Sequence, residues 1–94
     1  MLTLIIYDIS EDNYRSKLVK FLQEYGLKRI QYSGFLGDIN PNDRIVMAKE
    51  IEKFISSEKD SIYMVPMCNR CKKLTKIISK ENKELEDLEK VKIL

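Results

Sequence analysis

From Leu2 to Met67 the spacing of apolar residues alternates between two and about three and a half, and the order of those changes restricts the fold more than any other property of the chain. "LIIYDIS", Leu4 to Ser10, is an almost unbroken apolar run that delivers one carboxylate, Asp8, at its exit. It reads as a buried strand. Ser10 then offers an oxygen to an early helical N–H, and Glu11 and Asp12 fall where the helix dipole favours negative charge. Tyr14, Leu18, Phe21, Leu22 and Tyr25 recur at helical spacing, and Gly26 tolerates the left-handed dihedrals that end a helix. A helix is expected over residues 11–25.

"LKRIQYS" alternates, placing Ile30 and Tyr32 on one face of a strand and Arg29 and Gln31 on the other. "GFLGDI" follows as a second short strand bracketed by Gly34 and Gly37, so the two are expected to pair as a hairpin with a bulge or tight bend. Asn40, Pro41 and Asp43 restart a helix as cap, first helical residue and first-turn acid. Ile45, Ala48, Ile51 and Ile55, with Met47 and Phe54, form its expected core face. "SIYMVPM" is the last strand, ended by Pro66, which has no N–H for a ladder.

Strand, helix, strand, strand, helix, strand is the order of an α+β ferredoxin-like βαββαβ sandwich, two helices on a four-stranded antiparallel sheet. Residues 1–67 make that core. Residues 68–94 are an extension, basic and then mixed in charge, with Leu85, Leu88 and Val91 at helical spacing, expected to pack on its own sheet or on a partner subunit. At 94 residues a dimer interface would add substantially to the stability of one small core.

Composition narrows the function classes. No apolar stretch approaches the roughly 20 residues of a membrane span, and no basic leader precedes the first apolar run, so a cytoplasmic chain is expected. Cys68 and Cys71 are too few and too close to staple a secreted fold. Histidine is absent, which removes the commonest acid–base residue and every histidine-containing metal set. Net charge is only +2, but "CNRCKKLTKIISK" carries Arg70, Lys72, Lys73, Lys76 and Lys80 with no acid among them. That is a local basic patch for nucleic-acid backbone or a partner.

Asp8 is the best-placed acid. At the end of a central strand its carboxylate is a candidate ligand for Mg2+, and two copies in a two-fold dimer would give one ion two protein oxygens. On the residues alone, a cap of the following turn is the simpler account. Tyr7, Arg15, Lys17, Arg29 and Gln31 are candidates to hold phosphates around such an ion, against ordinary solvated faces as the plain alternative. Phe35 is a candidate base-stacking aromatic, although "YSGFLGDI" lacks the full signature of the RNA-recognition module. Cys68 and Cys71 admit a metal-carrying role, but a closed zinc site takes four ligands, and metallochaperones of this fold place their pair after the first strand.

"LIIYDIS", "NYRSKLVKFLQEYGLKRIQYSGFLGDI" and "YMVPMCNRC" together resemble the second CRISPR-associated protein family, the small dimeric partner of the spacer-acquisition integrase, over about residues 2–71. The resemblance implies a ferredoxin-like homodimer, often completed by a C-terminal segment of each subunit lying on the other. It implies an Mg2+-dependent endonuclease acting on RNA or DNA, with Asp8 as catalytic metal ligand in each subunit and Arg15, Lys17, Arg29 and Phe35 at positions linked to activity. It equally implies a non-catalytic adaptor that bridges integrase dimers during spacer acquisition and does not need the aspartate. Beyond Cys71 the chain departs from the family pattern.

Overall fold

A computed structural model describes residues 1–80 of the chain. Its elements are β1 (Leu2–Asp8), α1 (Asp12–Glu24), β2 (Lys28–Gln31), β3 (Gly34–Asp38), α2 (Pro41–Glu50) continued by a 3-10 turn (Ile51–Phe54), β4 (Ser61–Met67) and α3 (Asn69–Leu74). The strands form one sheet in the order β2-β3-β1-β4 with every neighbouring pair antiparallel. This is the expected ferredoxin-like arrangement. Residues 81–94, with Leu85, Leu88 and Val91, lie outside the described part, and so does the packing expected of them.

The two faces of the sheet differ. Ile5, Tyr7 and Phe35 point to the helices, where they join Leu18, Phe21 and Leu22 of α1, Met47 of α2, and Ile51 and Phe54 in one core. Each of these apolar side chains contributes about 1.5 to 3 kcal/mol by leaving water. The opposite face carries Leu4, Ile6 and Asp8 of β1, which lie beside Val65, Tyr63 and Ser61 of β4 in register. No described helix covers the part around Ile6, Tyr63 and Val65, which are 46%, 62% and 42% exposed. Residues 75–79 return over the far end of this face and, with Leu4, Leu36 and Met67, line a cleft of about 490 Å³.

The ends of α1 differ in how they are held. At its C-terminus Gly26, at φ 83°, donates to the Gln23 carbonyl, and Leu27 donates to that of Leu22. This left-handed residue with its two back-bonds is a Schellman stop. At the N-terminus the cap is Glu11, without a side-chain bond, and Ser10 does not cap. Instead Ser10 donates its N–H and its hydroxyl to Asp60 Oδ1 at 2.9 and 2.8 Å. For α2 the expected cap holds: Asn40 Oδ1 accepts the Asp43 N–H at 2.8 Å.

Three further expectations are corrected. Met47, Ile51 and Phe54 are the buried face of the second helical segment, whereas Ile45 and Ile55 are 55% and 40% exposed and Ala48 faces solvent. The inward stripe runs through Met47, Ile51 and Phe54 at four- and three-residue spacing, which leaves Ile45 and Ala48 on the solvent side of α2. β4 does not end at Pro66 but continues to Met67, because β4 is an edge strand and one side of it asks for no donor. Arg29 and Gln31 do not share a face: Arg29 lies opposite Phe35 but Gln31 lies opposite Gly34, so a bulge at Ile30 turns them to opposite sides.

Candidate nucleic-acid interface around Asp8

The exit of β1 is built by fastening two loops together. Asp60 accepts from Ser10 through one carboxylate oxygen and from the Ser56 and Ser57 N–H groups and the Ser56 hydroxyl through the other. The Ser56 N–H first, then the Ser10 N–H and hydroxyl, hold the Asp60 carboxyl far below the usual carboxylate range. Asp60 directly precedes Ser61, the register partner of Asp8, so this fastening fixes the strand ends on which Asp8 sits. Asp8 itself is exposed on the open sheet face, in line with Ile6. Sequence reasoning passed over Asp60, whose signal was an acid closing a Ser-rich turn before a strand.

On the helix side, the end of β1 meets α1 and the β2–β3 turn. Arg15 donates to the Ile9 carbonyl at 2.9 Å and is paired with Asp12. Arg29 lies with its guanidinium carbon 5.2 Å from the centre of the Phe35 ring, a cation held against a buried π face. Tyr7, Asp12, Arg15, Ser16, Val19, Arg29 and Tyr32 line one cleft of about 350 Å³. Tyr7, Arg15 and Arg29 thus border one cleft.

The other candidates are placed elsewhere. Lys17 lies 5.9 Å from the Tyr14 ring and lines a separate groove with Lys20, Lys53 and Phe54. Gln31 lines the cleft on the open sheet face, which Arg29 also borders. Phe35 is wholly buried, so it is a core residue beneath Arg29 and has no ring face to offer a base. Tyr7 is likewise buried, and its hydroxyl donates to the Tyr32 carbonyl at 3.2 Å. Arg70 and Lys73 stand exposed on α3, whereas Lys72 is partly buried.

Cys68 and Cys71 are both free thiols at the surface. The Cys71 N–H, the Cys71 thiol and the Arg70 N–H lower the Cys68 thiol below its ordinary value, and the same thiol contact raises Cys71. Among the described residues no three histidine, cysteine or acidic side chains gather where they could hold a metal ion. Nor is any described helix long and apolar enough to cross a membrane.

A four-stranded antiparallel sheet backed by helices on one face, with a carboxylate on the open face at the exit of its inner strand and an arginine-lined cleft on the helix side of the same strand end, defines a small ferredoxin-like α+β protein with a candidate phosphodiester-binding edge. The family described as CRISPR associated protein Cas2 matches residues 1–75, and the chain belongs to that family. It is 46% identical over 85 residues to the CRISPR-associated endoribonuclease Cas2 1 of Archaeoglobus fulgidus, covering 90% of each chain. To the CRISPR-associated endoribonuclease Cas2 of Desulforudis audaxviator it is 35% identical, over 83% of this chain and 74% of that one. Among solved structures, Streptococcus pyogenes Cas2 superposes with a TM-score of 0.69 over 84% of this chain and 100% of that one. At 19% identity that likeness concerns the fold.

Proposed function

We propose that the chain acts as a homodimeric, Mg2+-dependent endonuclease on RNA or DNA in CRISPR spacer acquisition. The observation that carries this reading is the position of Asp8 on the open sheet face, opposite Ser61 and in line with exposed Ile6, which lies beside Tyr63. An apolar sheet face of this kind is completed by a second copy, and a two-fold axis through it would bring two Asp8 side chains toward one another. The fit to a metal is therefore a property of the pair: one carboxylate is a poor site, two hard oxygen ligands and a phosphate make a usable one.

When bound, Mg2+ would supply a Lewis acid and a positioned water. The chain's own residues then have separate tasks. Asp8 of each subunit holds the ion. Arg15 and Arg29 bind the phosphodiester in the cleft, and Asp60 with Ser10 keeps the strand end that presents Asp8 from moving. The naming of the relatives at 46% and 35% identity as endoribonucleases supports nuclease activity. Purified protein incubated with RNA and with DNA, with Mg2+ or with a chelator, tests the reading: cleavage should need the metal and be lost in Asp8→Ala. Full-rate cleavage by Asp8→Ala would overturn it.

A second reading is favoured by α3. Arg70 and Lys73 stand exposed there, and no acid occurs over residues 68–80, which suits a dimer that binds DNA backbone and bridges integrase dimers without catalysis. On that reading Asp8→Ala leaves integration intact, whereas charge reversal at Arg70, Lys73 and Lys76 weakens DNA or integrase binding at low salt.

A further inference from the structure

One large aromatic side chain stands in solvent at the arginine cleft. Tyr32 is 77% exposed, the most of any aromatic among the described residues, and it lines the cleft with Arg15 and Arg29. A single exposed tyrosine is ordinary in itself. What sets this one apart is how firmly its backbone is held.

Tyr32 and Ser33 form the two-residue connection between Gln31 and Gly34. Tyr7 fastens both of them: its N–H donates to the Ser33 carbonyl at 3.0 Å and its hydroxyl to the Tyr32 carbonyl at 3.2 Å. Since Tyr7 is itself 3% exposed and part of the core, the turn is pinned to the centre of the fold. The cations beside it are also held, Arg29 over the buried Phe35 ring and Arg15 on the Ile9 carbonyl. Asp12 offsets one of the two positive charges, so charge alone gives the cleft only a weak pull on anions. An exposed aromatic ring on an anchored backbone, next to held guanidinium groups, matches a ligand with a flat ring and a phosphate on the same unit.

We propose that Tyr32 is a nucleobase-stacking residue and that this cleft takes an unpaired nucleotide, its phosphate toward Arg15 and Arg29 and its base on the exposed tyrosine ring. In a duplex the base faces are stacked inside and only edges are presented, whereas an unpaired base turns its face outward. The ring therefore selects single strands over duplexes. The proposal rests on the reading of the cleft as a phosphodiester site. It also recasts Tyr7 as a positioning residue, which holds the turn that carries the contacting ring.

Binding is measured by fluorescence anisotropy of a labelled single-stranded oligoribonucleotide and of its duplex, in a chelator so that no cleavage occurs. Tyr32→Ala should weaken single-strand binding roughly 5- to 150-fold, the range of one base stacked on one aromatic, and leave duplex binding unchanged. Tyr32→Phe keeps the ring and should bind as the parent chain does. The sequence has no tryptophan, so Tyr32→Trp installs a single reporter whose emission the single strand should quench and the duplex should not. Unchanged single-strand affinity in Tyr32→Ala, equal loss on duplex, or an unquenched reporter would each overturn the stacking role. If Arg29→Gln binds single strands as tightly as the parent, the phosphodiester reading fails and the stacking proposal with it; a failure confined to the Tyr32 variants leaves that reading standing.

Discussion

Asp60 shows how a residue remote from any chemistry can decide where a reactive group stands. Its carboxylate is charged because five donors from Ser10, Ser56 and Ser57 surround it, which places its folded-state pKa below the ordinary value of 3.8. A depressed folded pKa gives stability that is complete above the unfolded value and is lost as pH falls toward the folded one. The urea midpoint of the parent chain should therefore decline below about pH 4, and that of Asp60→Asn should be lower at neutral pH and decline less over the same interval. Parallel curves for the two proteins would show that the fastening contributes nothing. Phe35 teaches a related lesson, since its burial makes it a stability residue first. Phe35→Ala should lower the unfolding free energy by about 3 to 5 kcal/mol in urea titration, and any loss of activity should follow that loss of fold.

At the scale of elements, what the sequence made legible is what local chemistry decides. The Asn40 cap, Pro41 at the first helical position and the Gly26 stop were all readable, because each depends on residues within a few positions of one another. Gly26→Ala should cost about 1 kcal/mol, since an alanine there must adopt the same left-handed backbone, and the urea midpoint should fall without a change in slope. What was not legible depends on partners far along the chain. Ser10 has the chemistry of a cap, but a carboxylate 50 residues away claims both of its donors. Arg29 and Gln31 alternate as strand neighbours do, yet the extra residue at Ile30 turns Gln31 to the other face. The inward face of α2 escaped because Ile45, Ala48 and Ile55 are also apolar at helical spacing, and only tertiary packing decides that Met47, Ile51 and Phe54 turn inward.

For the whole molecule, the asymmetry of the sheet matters most. One face is closed by α1, α2 and the 3-10 turn, and the other presents Ile6, Tyr63 and Val65 beside Asp8. If that face pairs two copies, the double variant Ile6→Lys, Val65→Lys should shift sedimentation toward the monomer and lose metal-dependent cleavage in step, because each monomer would be left with one carboxylate. A monomeric double variant that still cleaves at the parent rate would separate the dimer from the chemistry. The lateral rim of the same sheet carries an instruction of another kind. With Pro66 in an outermost strand, any segment that comes to lie alongside it meets a gap in the row of amide hydrogens. Alignments that require a donor there are excluded, so a single imino acid acts as a ruler for how a tail or neighbouring subunit can be added.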